Sequence, residues 1–149
     1  MGEPMTKQRL SQYIYLKMEV EHQEERIARM KREETIPALR IGDGSKHSPG
    51  TGDRMERAIL RRMEYEERIR PRIEAAVAEM RAIEDAVYSV PDPMEREVLR
   101  LRYMEGDYLR HPSWKEIAVK LFGDNDERDM VATYRLHARA LHKVTHDSP

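Results

Sequence analysis

Cysteine is missing from the 149-residue chain. That removes disulfide frameworks, thiolate zinc sites and cysteine nucleophiles together. Phe and Trp are scarce: one of each stands against ten Met. A broad aromatic core is excluded, so any C-terminal core depends on Trp114. Excess charge of one sign is absent too, because 27 Lys and Arg nearly balance 28 Asp and Glu. No global basic field draws the chain to nucleic acid, and any such binding must come from a local patch. No apolar run approaches the roughly 18 residues of a membrane span, and MGEPMTKQRL opens without an apolar signal region. These absences predict a soluble, cytoplasmic protein with no membrane partner. What abounds is charge, at 37% of residues, a level suited to long helices in water.

The pattern is all-α. From about Thr6 to Glu34 there is neither Gly nor Pro, and Tyr13, Leu16, Val20, Ile27 and Met30 occupy heptad core positions, with Gln23 the polar exception. Such a helix spans roughly 43 Å at 1.5 Å per residue. A narrow stripe on a charged helix needs a partner helix. The stretch Thr35–Gly52, TIPALRIGDGSKHSPGTG, has the composition of a mobile loop. It is no P-loop, since Lys46 sits between Ser45 and His47 and no strand precedes it.

Asp53 is the expected N-cap of the second helix. One heptad position reads Ile59, Glu66, Ile73, Met80 and Val87; the other reads Met55, Arg62, Ile69, Ala76, Ile83 and Val90. The register survives Pro71, which predicts a kink and not a break. Helix two ends at Pro91-Asp92-Pro93. Residues 1–91 are therefore expected to form a long antiparallel, coiled-coil-like hairpin with a loop at about 35–52. Glu24–Glu25 and Glu66–Glu67 are read as solvated neighbours, because i and i+1 point apart on a helix.

From Met94 the helices shorten and apolar residues become denser. A first helix is expected from Pro93 to about Glu105, with Met94, Val98 and Leu101 on one face and Gly106 stopping it. SWKEIAVKLFG, Ser113–Gly123, opens on a Ser113/Glu116 capping box and carries the stripe Trp114, Ile117, Ala118, Leu121. The acidic turn DNDERD, Asp124–Asp129, is no calcium loop. The sixth and twelfth places, which need Gly and Glu, hold Asp129 and Arg135. Asp126 or Asp129 is the expected cap of the last helix.

That last helix contains TYRLHARALHKV, basic with no carboxylate. On a wheel of about 100° per residue, Met130, Thr133, His137, Ala140, Leu141 and Val144 share one side. Arg128, Val131, Ala132, Arg135, Arg139, His142 and Lys143 share the other. A positive face with small residues near the helix start can enter a DNA major groove. Arg135 and Arg139 are candidates for base edges, and Lys143, Lys115 and Arg110 for phosphates. A basic face also complements the helix dipole without any ligand. His137 is expected to be a buried, hydrogen-bonded imidazole. His142 and His146 lack the Glu of a zincin helix, since Lys143 follows His142. No metal site, cofactor, nucleophile–base pair or other enzyme signature is read.

Glu95-Arg96-Glu97-Val98-Leu99-Arg100-Leu101-Arg102-Tyr103 resembles the opening of region 4 of bacterial sigma factors. Trp114-Lys115-Glu116-Ile117-Ala118 resembles that region's first helix-turn-helix element. Tyr134-Arg135-Leu136-His137 with Ala140-Leu141 resembles the recognition helix of phage-encoded sigma-like regulators, including ArpU/RinA-like late activators. The resemblance covers about the last 55 residues. It departs at Gly123–Met130, roughly five residues longer than the compact turn of that pattern. It implies a helix-turn-helix domain at 92–149, double-stranded DNA as ligand and RNA polymerase as partner. A sequence-specific transcriptional regulator, dimerising through the hairpin, is the expected function. The alternatives are a small-terminase-like DNA-packaging subunit and a coiled-coil adaptor that binds only protein.

Overall fold

The computed structural model describes residues 3–41 and 51–146, with side chains from 3–34 and 52–146. All regular structure among them is helical. Helix α1 is Lys7–Ile41 and α2 is Thr51–Tyr88; α3, Pro93–Leu99, runs directly into a π-helical turn, Arg100–Met104. Helix α4 is Trp114–Phe122 and α5 is Glu127–His146. The chain groups into two compact units, one made of Glu19–Ala76 and one of Met1–Met18 with Val77–Pro149.

Several helix ends differ from the sequence expectation. Helix α1 runs past Thr35 and through Pro37 to Ile41. Helix α2 starts at Thr51, which puts Asp53 inside the first turn instead of at the cap. There its charge still opposes the positive helix end. Helix α2 continues through Pro71. The remainder of the expected loop, 42–50, lies outside the described residues.

In the 19–76 unit, apolar burial is modest and polar pairs dominate. Ile27, Tyr65, Ile69, Ile73 and Ala76 are buried. Gln23, the polar exception in the stripe, accepts a hydrogen bond from the Tyr65 hydroxyl. Arg26 and Arg68 lie over the Tyr65 ring at 4.7 and 5.6 Å. Arg62 bonds Glu34 and Glu66, and Arg70 bonds Glu24 at 2.9 Å. Partner numbers fall along α2 as they rise along α1, so these segments run in opposite directions within the unit. Glu66 is therefore not simply solvated. It is half-buried, and its hydrogen bond from Arg62 holds its carboxyl below the usual range against the cost of burial.

The second unit has a continuous apolar core. Leu10, Ile83, Val87, Val98, Leu99, Leu101, Ile117 and Ala140 are all essentially inaccessible to water. Thr6 Oγ1 caps α1 by accepting from Arg9 N at 3.1 Å. The Arg9 fork clasps both Glu79 oxygens at 2.8 and 3.0 Å, and Tyr13 donates to Glu84 at 2.6 Å. Asp92 caps α3 through Met94 N and Glu95 N.

The expected single helix Pro93–Glu105 instead widens at Arg100, where Glu105 N reaches Arg100 O, five residues back. The wider turn lets Leu101, Tyr103 and Met104 all point inward. Arg100 bridges Glu97 and Glu105 on the outside. Met94, placed on one face with Val98 and Leu101, is exposed while those two are buried. Ser113 caps α4 by accepting from Glu116 N at 3.2 Å, and Gly123 ends it at φ +89°.

Candidate nucleic-acid interface

Helix α5 buries Thr133, Leu136, Ala140 and Val144 against α3 and α4. Leu136 belongs to the core although the wheel did not assign it there; Met130, His137 and Leu141 are only partly covered. Asp126 is the cap, its Oδ1 accepting from Asp129 N at 2.8 Å. Helix α5 therefore begins at Glu127, and only Gly123–Asp126 separate it from α4. The second half of the acidic turn expected between them, Glu127–Asp129, is the first turn of α5.

The outward stripe of α5 holds Arg128, Val131, Arg135, Arg139 and His142, all exposed, with Ala132 partly covered. Arg128, Val131, Ala132 and Arg135 line an open depression together with Asp126 and Glu127. Among the described residues, neither Arg128 nor Arg135 enters an ion pair with an acid of the chain. One carboxylate oxygen from each of Asp124, Asp126 and Asp129 lies within 4.8 Å of the others. The positive stripe thus begins beside a negative cluster.

Lys143 stands seven residues, about two turns, after Leu136 and so lies on the inner flank of the helix. Its Nζ is 2.8 Å from Glu95 Oε2, an ion pair outside hydrogen-bond alignment. Arg139 Nε is 3.9 Å from Glu95 Oε1. Glu95 comes from α3 and is almost wholly buried. A buried carboxylate left without a counter-charge is strongly unfavourable, so Lys143 has a structural partner and is not a free phosphate ligand. Arg139, more exposed and farther from Glu95, keeps its guanidinium in solvent. His142 stacks on His146 at 4.3 Å between ring centres. Lys115, at the start of α4, and Arg110, in the 105–113 segment, are exposed and lie outside the α5 depression.

On the opposite flank, Trp114 meets the rings of Tyr134 and His137 at 5.2 and 4.8 Å. His137 Nε2 pairs with the Tyr103 hydroxyl at 2.8 Å. Burial, and then the charges of Lys7 and Arg102, push the His137 imidazole down to about 4, so it is neutral near pH 7. Two contributors escaped the sequence reading. Glu95 was legible only as part of a motif, since nothing in its spacing marks it as buried. Tyr134 is about half exposed yet packs on Trp114; its place two residues before Leu136 was the available signal. No protein-family model, curated protein or solved structure matches the chain.

Proposed function

We propose that the chain is a sequence-specific, double-stranded-DNA-binding transcriptional regulator of the sigma-region-4-like type, non-enzymatic, with α4 and α5 as its helix-turn-helix. The observation that carries this reading is the outward stripe of α5. Its arginines at 128 and 135 are exposed and form no ion pair among the described residues, beside the small side chain of Ala132. Buried Thr133, Leu136 and Ala140 fix that stripe's orientation. Arg135 and Arg139 reach base edges or phosphates, and Arg128, Lys115 and Arg110 set position on the backbone. RNA polymerase is the partner proposed from the resemblance at Glu95–Tyr103. The segments of α1 and α2 form a hairpin that recruits or dimerises.

The test is fluorescence anisotropy with duplexes from upstream of the protein's own operon and with random duplex, at two salt concentrations. Binding that falls steeply with salt, and a preference for one duplex that survives at the higher salt, are expected. Arg135→Glu lowers affinity at least about tenfold with helicity unchanged. Equal binding by variant and parent ends the assignment. The acidic cluster Asp124–Asp126–Asp129 favours a second reading, a protein-only adaptor; absence of duplex binding at low ionic strength selects it.

A further inference from the structure

A second hollow, of about 280 Å³, lies within the unit that holds α3, α4 and α5. Its walls come from the start of α1, the π-helical turn, the 105–113 segment, α4 and α5. Six of the ten side chains that line it are rings, and Lys7 and Arg102 supply fixed positive charge. Among the described residues, no Asp or Glu lines it. Arg102 lays its guanidinium over the Trp114 indole at 4.4 Å, which occupies one face of the cation and leaves its N–H edge available. Tyr15 and Tyr108 are about half exposed, so their rings are open to a further planar group.

The rim is preformed. Gly106 adopts φ +78°, and Asp107 Oδ1 accepts from Leu109 N and Arg110 N at 2.8 Å each. Lys17 Nζ donates to Gly106 O at 3.2 Å, tying this segment to α1. A rim already held in place lowers the ordering cost of binding. The depressed imidazole of His137 reports the same field, since Lys7 and Arg102 both act against its protonation.

We propose that this cavity binds a small aromatic anion, a single ring bearing a carboxylate. The volume sits at the small end of ligand cavities, roughly 300–1,000 Å³, which favours one ring over a nucleotide or a peptide. The carboxylate meets the Arg102 fork and the Lys7 ammonium, and the ring packs among the tyrosines. Neither the site nor its ligand depends on the DNA-binding reading.

Benzoate is the probe, titrated into the full chain without DNA at pH 7. Calorimetry gives stoichiometry, and the emission of Trp114, the one tryptophan of the chain, reports on the site itself. A saturable one-to-one isotherm with Kd at or below about 1 mM is expected. Benzyl alcohol, with the ring but no charge, and acetate, with the charge but no ring, each bind at least about tenfold more weakly. Lys7→Gln and Arg102→Gln each weaken benzoate by about tenfold. Lys7 is exposed, so its variant keeps the parental melting temperature and isolates the charge. No saturation up to about 10 mM benzoate overturns the proposal. So does benzyl alcohol or acetate matching benzoate, or parental affinity in Lys7→Gln.

Discussion

The two compact units are held together by different physics. In the Val77–Pro149 unit with its N-terminal segment, eight large or fully enclosed side chains from Leu10 to Thr133 have almost no contact with water. Among the described residues of the Glu19–Ala76 unit, only Ile27 comes near that depth, and Arg62, Glu66, Arg70 and Gln23 lie where a heptad reading places or flanks apolar contacts. Apolar burial is worth about 25 cal/mol per Å² and is not weakened by charge screening. Partly exposed ion pairs are worth about 0–1 kcal/mol each and fade with salt. A unit that must present a fixed helix face benefits from the first arrangement. A pair of long helix segments whose partner choice matters can use the second, because charges select register at small cost in strength.

The sharpest way to break this contrast is a cavity. Leu99 is fully buried in the α3–α5 core. Leu99→Ala is expected to cost about 2–5 kcal/mol, the usual range for such a truncation, read by urea denaturation. Ile59→Ala, partly exposed in the other unit, is expected to cost well under half of that. Equal losses would show that the two units share one mode of stabilisation.

Next in size is Gly106→Ala. The φ of +78° is strained for any residue with a Cβ, and that Cβ would stand 2.3 Å from the Arg110 carbonyl oxygen. Backbone must shift, at an expected cost of about 2 kcal/mol. The melting temperature falls and the aromatic cavity loses its ligand, whereas Gly52→Ala, with open space around it, leaves stability unchanged or higher.

How far the sequence reached follows from the same contrast. The capped and striped elements were legible because caps and periodicity are local: Ser113, Gly123 and the Trp114–Leu121 stripe stand where spacing placed them. The exposed side of α5 was legible for the same reason at Arg128, Val131, Arg135, Arg139 and His142, but not at Lys143, which turns to Glu95. The π-helical turn was not, since it answers to three side chains competing for one core. Glu95 was not, because its counter-charges lie more than forty residues along the chain. The division at residue 91 followed the Pro-Asp-Pro punctuation, whereas packing groups the last turns of α2 and the first turns of α1 with the C-terminal helices. Nothing in the spacing of Lys7 and Arg102 announced a common cavity.

Acid separates the units as well. The folded state of the apolar unit holds His137 down to about 4, against 6.5 when free. Between those values the unfolded chain binds the extra proton, so stability is lost as pH falls from about 6.5 toward 4. Solvent access to the half-buried ring limits the effect to about 1–2 kcal/mol. His137→Gln keeps a partner for the Tyr103 hydroxyl and flattens this part of the curve. The Glu66 carboxyl, held below its ordinary 4.5 by Arg62, acts in the other window. Its contribution is present above that value and disappears only as pH falls through the lowered one. Thermal melts of parent and variant at about pH 7, 5.5, 4 and 3 distinguish these windows.

The smallest expected effect is also the most discriminating. Arg62 bonds Glu34 and Glu66 at once, and both acids are partly shielded from water. Arg62→Ala removes a network and not a lone pair, so a measurable loss of stability, smaller than that of any variant above, is expected at low salt. Raising ionic strength to about 1 M shortens the screening length to roughly 3 Å and should remove most of the difference between variant and parent. Leu99→Ala should keep its full penalty under the same conditions, because no charge is involved. If the Arg62 penalty survived salt undiminished, the aliphatic stem of Arg62 packed between the helix segments would be the stabilising part, and the seam would be apolar after all.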